Sequence, residues 1–217
     1  MPQSRSKDGA GDLSNTFRNL LKNKTYALGV ISQVFYVGAQ IMCWTYIYQY
    51  AEAINISSFD AANYQFLAFV LFLVGRVIGT YLLRVVNSGK LLTNFCIVAV
   101  ALCLITIFIE GIIGFYGLVG ISFCMSLMFP TIYGIALEDL NEEESKIGAA
   151  GLVMAIVGGA LMPKLQGMII DMGGSGVKDI RVLGVSEVNL SFSLPLLCFM
   201  FIAYFGYKSS KAVRLKT

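Results

Sequence analysis

The chain has 217 residues, 57% hydrophobic and 13% charged, against roughly 45–50% and 25% for an ordinary soluble domain, and it reads as a membrane protein. Its net charge of +3 comes without a basic patch interleaved with aromatics, so no nucleic-acid partner is indicated. Histidine is absent, which removes a Ser-His protease, an H-E-x-x-H metalloenzyme and a histidine proton relay; no enzyme, catalytic residue, metal site or cofactor is expected.

A hydrocarbon core about 30 Å thick needs roughly 20 apolar residues of helix. Six stretches qualify, at 26–50, 64–84, 91–110, 115–137, 149–170 and 190–207. They are too long and too continuously apolar for the alternating strands of a barrel, so six transmembrane helices are expected.

Residues 1–25 read as a cytoplasmic linker. The first twelve are polar and flexible in composition, and Leu13, Phe17, Leu20 and Leu21 then recur at helical spacing with Arg18 and Lys22 on other faces. That pattern fits a short amphipathic helix on the membrane surface, the alternative being a solvated linker. The first apolar run begins near Tyr26, after this polar tail, and is too long for a signal peptide.

In the first span, Gln33, Tyr36, Gln40, Cys43 and Trp44 fall within an arc of about 100° on a helical wheel. Amide groups beside aromatic rings suit a sugar, whose hydroxyls take amide partners while its C–H face packs on a ring. Alternatively the amides only tie helices together, and Trp44 packs near the outer interface. Asn63 precedes the second span as either a binding group or an interfacial anchor. Inside that span lies Arg76, eight residues or about 12 Å from Arg84 at the cytoplasmic end. An arginine at a span centre costs about 2.5–3.5 kcal/mol on insertion scales, so Arg76 either snorkels or faces a wet cavity or a carboxylate. All thirteen acids lie in loops or at span ends, which leaves no acidic partner at its depth.

The five cysteines, Cys43, Cys96, Cys103, Cys124 and Cys198, all fall inside spans without metal-ligand spacing and read as buried thiols. In the fourth span, "SLMFPTIYGIAL" sets Ser126, Pro130, Thr131 and Tyr133 near mid-membrane. A proline kink there frees the Ser126 carbonyl and can open a polar face. The loop "EDLNEEESK" (138–146) reads as a solvated turn. In the fifth span Gly148, Gly151, Ala155, Gly158 and Gly159 allow close helix approach, as do Gly75 and Gly79 in the second. Pro163 and Pro195 suggest further kinks, Lys164 is placed to snorkel to the outer headgroups, and 171–189 reads as a Gly-rich outer loop. Residues 208–217 form a basic tail. Twelve of the sixteen Lys and Arg residues fall on one side, so both termini are expected in the cytoplasm.

At "YVGAQIMCWTYIYQYA" (36–51), "AANYQFLAFVLFLVGRVIGTYLL" (61–83), "ALCLI" (101–105), "FPTIYG" (129–134) and "VMAIVGGALMP" (153–163), the chain resembles the second half of the L-fucose:proton symporters of the major facilitator superfamily. The resemblance implies an all-α membrane protein forming the C-terminal half, helices seven to twelve, of a transporter with two six-helix halves. Each half is built of inverted repeats, and the sugar site lies between halves near the midplane. It implies alternating access, a bacterial inner membrane location, and a sugar and a proton as the transported partners, L-fucose leading. The family's proton-carrying acids lie in the first half and match no residue here. Glucose/galactose members are expected to carry an acid after "YVGA", so Gln40 and Trp44 favour the fucose branch. Phe129 departs from the family's tyrosine before the proline of this helix, and Tyr133, one turn on, can supply a hydroxyl instead. Lys164 stands where an apolar residue is expected. The candidate substrate-binding residues are Gln33, Tyr36, Gln40, Trp44, Asn63, Arg76 and Tyr133. The partner besides the bilayer would be a missing N-terminal half or a second copy. The rival readings are a non-transporting truncated fragment and a self-dimerising six-helix transporter for another sugar such as glucose or galactose.

Overall fold

The structure is a computed structural model that describes residues 18, 20, 22–173, 181, 182 and 184–214. The expected flexible segment 1–12 and most of the expected surface helix after it lie outside the described residues, although Arg18, Leu20 and Lys22 are helical, with Leu20 buried and the two cations exposed. Six helices are long and apolar enough to cross a bilayer: α1 (Lys24–Ala53), α2 (Ser58–Leu82), α3 (Ser88–Phe108), α4 (Ile112–Leu137), α5 (Glu142–Ile170) and α6 (Glu187–Lys211). The chain is a multi-pass, all-α membrane protein, with one two-residue hairpin, β1 (Arg181–Val182) against β2 (Val185–Ser186), between α5 and α6.

Polar residues fix where the helices begin, since the first N–H groups of a helix have no intrahelical acceptor. Asn23 accepts from Thr25 and Tyr26, Ser57 from Asp60, Asn87 from Lys90 and Ser186 from Asn189. Asn141 and Glu144 form a reciprocal capping box. The acidic stretch read as a turn therefore differs from expectation: Glu142, Glu143 and Glu144 occupy the first turn of α5, where carboxylates favour the positive end of the helix dipole.

Helices α1 and α4 form the axis. Helix α1 packs on α4, α5 and α6, while α4 also receives α2 and α3, and α3 and α6 run against each other. Of the most apolar 18 residues of α4, 67% are accordingly buried, whereas for α2 and α5, on the flanks, the shares are 22% and 28%. At one end of the bundle a hub joins four helices. Asn189 Nδ2 donates to the Tyr50 hydroxyl at 3.0 Å and the Thr106 carbonyl at 2.8 Å, and Thr106 Oγ1 donates to the Gly114 carbonyl at 3.2 Å. The Tyr50 ring stacks on Phe115 and takes the edge of Phe192. All five cysteines are buried and free.

The proline expectations hold unevenly. Helix α4 is interrupted at Ser126 and Leu127, one turn ahead of Pro130. Helix α5 stays helical across Pro163 and tightens instead to a 3₁₀ turn at Ala155–Val157. Pro195 lies in the first turn of Ser193–Arg214, after a break at Phe192, where its missing N–H costs nothing. The 3₁₀ turn of α5 leads straight into its crossing with α1. There Gly158 lies so close to the Val34 carbonyl that a Cβ would overlap it, and the Tyr46 hydroxyl donates to the Pro163 carbonyl at 2.7 Å.

Gly158→Leu is expected to push α5 off α1 and lower stability by about 1–3 kcal/mol, the usual cost of overpacking. Gly134→Ala, where nothing lies within 4 Å of the new methyl, should leave stability unchanged or raise it. Thermal unfolding of both variants in detergent checks the contrast.

Candidate functional site

The site grows out of the interruption in α4. Proline has no N–H, so Pro130 withholds the donor that the Ser126 carbonyl, four residues earlier, would otherwise receive. The other carbonyls of the break are met locally: Ser126 Oγ donates to Phe123 at 2.7 Å and Thr131 Oγ1 to Leu127 at 2.7 Å. The Ser126 carbonyl is met from α2, by Arg76 Nη1 at 2.9 Å. The partner that Arg76 meets within this chain is thus a backbone oxygen freed by a proline, which the expectation of a carboxylate, a wet cavity or the headgroups did not name. Gly75 makes the approach possible, since a Cβ there would stand 2.6 Å from Ser126 Oγ and 2.7 Å from the Phe123 carbonyl.

The guanidinium carbon also stands 5.8 Å from the Phe72 ring centroid, within cation–π range. Phe72 is shared with Trp44, whose indole meets Phe72 and Phe69 edge-on at 5.3 and 4.9 Å between centroids. Trp44 Nε1 donates to Ser122 Oγ at 3.2 Å, one turn along α4 from Ser126. In the other direction, the buried Tyr36 ring meets Phe129 edge-on at 6.0 Å, and Phe129 lies nearly parallel to Tyr133 at 6.4 Å. Tyr36, Trp44, Arg76 and Tyr133 are thus joined by Ser122, Ser126 and Phe129 into one continuous strip along α4.

The remaining candidates fall outside that strip to different degrees. Gln40 is half-buried on α1, one turn from both Tyr36 and Trp44. Gln33 is fully buried with neither amide atom hydrogen-bonded, so it does not tie two helices together as the alternative reading had it. Asn63 is exposed and lies thirteen residues from Arg76 on the same helix, about 20 Å away; nothing brings it to the others. Lys164 is exposed on α5.

Two amides were missed. Gln65 is buried on the stripe of α2 that carries Ala61, Ala68, Gly75 and Gly79, and neither of its amide atoms has a partner. Gln166 donates to Ser191 Oγ at 3.0 Å and leaves its oxygen unpaired. The signal that singles out Gln33 and Gln40, a polar amide in an apolar run, applies equally to both. A buried amide group without a partner costs about 1–3 kcal/mol, so these positions are places where water or a ligand atom would be held favourably.

No family model matches the chain. It is 47% identical over 207 residues to an L-fucose-proton symporter of Haemophilus influenzae, covering 94% of this chain and 46% of that protein. It is 32% identical to the L-fucose-proton symporter of Escherichia coli, covering 90% and 42%, and 32% identical to a putative glucose/galactose transporter of Helicobacter pylori, covering 90% and 46%. The chain therefore spans about half the length of the curated relatives it matches. The crystal structure of the major facilitator superfamily transporter FucP in the outward conformation superposes with a TM-score of 0.81 at 31% identity, covering 95% of this chain and 47% of FucP. These relatives are transporters and not enzymes. By sequence and by fold the chain belongs to the L-fucose:proton symporter family of the major facilitator superfamily, in which it corresponds to the C-terminal six-helix half.

Proposed function

We propose that the chain is the C-terminal half of an L-fucose:proton symporter of the bacterial inner membrane that works by alternating access. The observation that carries this reading is the strip along α4, where Arg76 meets the Ser126 carbonyl beside Trp44, Phe129 and Tyr133. A guanidinium fork can donate to sugar hydroxyls while aromatic rings receive the sugar's C–H face. Tyr36, Gln40, Trp44, Arg76 and Tyr133 act together in this role, Gln33 borders it, and Asn63 serves the rim. The 47% identity to a symporter named for L-fucose supports that sugar over others.

The coupling proton is carried by acids of a second six-helix half, because no acid of this chain lies at the depth of Arg76. The apolar faces of α2 and α5 are the docking surfaces for that half: Phe66, Leu73 and Val77 on one and Met154, Leu161 and Met168 on the other are all exposed. The two flanks rest on α4 and α1 through small residues, a geometry in which helices can rock past one another. Lys24, Arg84, Lys90, Lys146 and Lys211 belong to the same end of the bundle, which supports a cytoplasmic placement of both termini. A second reading, two copies of this chain transporting glucose or galactose, draws on the 32% identity to glucose/galactose transporters.

In vesicles, the chain together with a complementary N-terminal half is expected to take up L-fucose with proton coupling, unlabelled fucose competing better than glucose or galactose. Saturable, proton-coupled uptake by the chain alone would overturn the need for a second half.

The role of Arg76 separates into two measurable parts. Arg76→Ala should cost about 1–3 kcal/mol of stability by stranding the Ser126 carbonyl, and Pro130→Ala, which restores an N–H donor, should reduce that cost in the double variant. An equal cost in both backgrounds would show that the carbonyl is not what Arg76 satisfies. Fucose uptake by the two-half assembly should fall at least tenfold in Arg76→Ala, about 1.4 kcal/mol in binding terms, and stay low in the double variant. Uptake that returns with Pro130→Ala would reduce Arg76 to a structural brace.

A further inference from the structure

Where α3 begins and α6 ends, the two helices line an open cup of about 360 Å³ formed by Lys90, Thr93, Asn94, Tyr207, Ser210 and Lys211. Every lining side chain carries a polar group, and two carry a positive charge. Among the described residues the ion pair formed is Lys146 with Glu142, and neither cup lysine has a carboxylate partner. The Lys211 ammonium rests 4.6 Å from the Tyr207 ring centroid, held at the mouth of the cup by its cation–π contact. Toward mid-membrane the polar lining stops. Ile97 and Val98, seven and eight residues along α3 from Lys90, are exposed, as are Tyr204 and Met200, seven and eleven residues from Lys211 on α6. A cup with two cations about 10 Å from exposed, largely apolar side chains matches a molecule with an anionic head and hydrocarbon chains.

We propose that this cup binds the headgroup of an anionic phospholipid, with the phosphodiester between Lys90 and Lys211 and hydrogen-bonded by Asn94, and with an acyl chain along the exposed apolar side chains of α3 and α6. Lipid is the occupant the surroundings favour, because a free phosphate would use the cup and leave the exposed apolar side chains beside it unmatched. The site is independent of the transport reading, since α3 and α6 carry none of the strip residues.

Native mass spectrometry of the full 217-residue chain in detergent, titrated with phosphatidylglycerol or phosphatidylcholine, tests the assignment. Phosphatidylglycerol is expected to bind more tightly, and Lys90→Gln and Lys211→Gln should each weaken it about fivefold, the usual contribution of one lysine near an anionic surface, without changing phosphatidylcholine. Lys146→Gln, at the same end but outside the cup, should leave both lipids unaffected. Equal binding of the two lipids, or an equal loss in Lys146→Gln, would overturn the site. Displacement of phosphatidylglycerol by an equal concentration of inorganic phosphate would assign the cup to a soluble anion and overturn the lipid.

Discussion

A carbonyl oxygen stripped of its helical donor can turn to water in a soluble protein, but inside a bilayer it must be satisfied by the protein itself. Pro130 creates such an oxygen at Ser126, and the bond from Arg76 at 2.9 Å resolves it. The same bond resolves the opposite difficulty, a guanidinium in a hydrocarbon setting. Each group alone would be costly; together they fasten the flank helix α2 to the axis helix α4. Gly75, Phe72 and Trp44 follow from that pairing, one by letting the backbones approach, the others by packing around the cation and the gap it spans.

The bundle is asymmetric in how its helices are held. Helices α1, α3, α4 and α6 share the Asn189 hub and much of the buried aromatic core. Helices α2 and α5 are more exposed and are held from one side: α2 by the Arg76 bond, a glycine stripe and the rings of Trp44 and Phe115, and α5 by the Gly158 crossing and the Tyr26, Tyr46 and Gln166 bonds. In both cases the attachment lies next to a break in regular helix, at Ser126–Leu127 in α4 and at Ala155–Val157 in α5.

Hydropathy made the six helices legible, because lipid allows few alternatives to a helix. The strip was partly legible too: Pro130 announces a free carbonyl at Ser126, and the wheel of α1 places Tyr36, Gln40 and Trp44 on one side. What the sequence concealed was the pairing. A search for the partner of Arg76 that counts acids cannot find a backbone oxygen, and the proline that frees it lies 54 positions away. Proline also proved a weak guide to where a helix bends. Pro163 is absorbed into α5, and the distortion falls at Ala155–Val157, next to the Gly158 crossing. Asn63 stands apart from the strip because a polar residue at a helix start says little about depth. Gln65 and Gln166 escaped although their signal matched that of Gln33.

The Asn189 hub bears on biogenesis. Its amide closes onto Tyr50 and Thr106, residues 139 and 83 positions earlier in the chain, so it forms only after α6, the last of these six helices to be synthesised, has entered the membrane. Until then the Tyr50 hydroxyl has the Thr106 and Ile109 carbonyls at 3.3 and 3.4 Å, and lacks the amide that donates to it. A bundle in which α6 has not yet docked lacks this latch, which gives membrane quality control a polar mark by which to tell an unfinished bundle from a finished one.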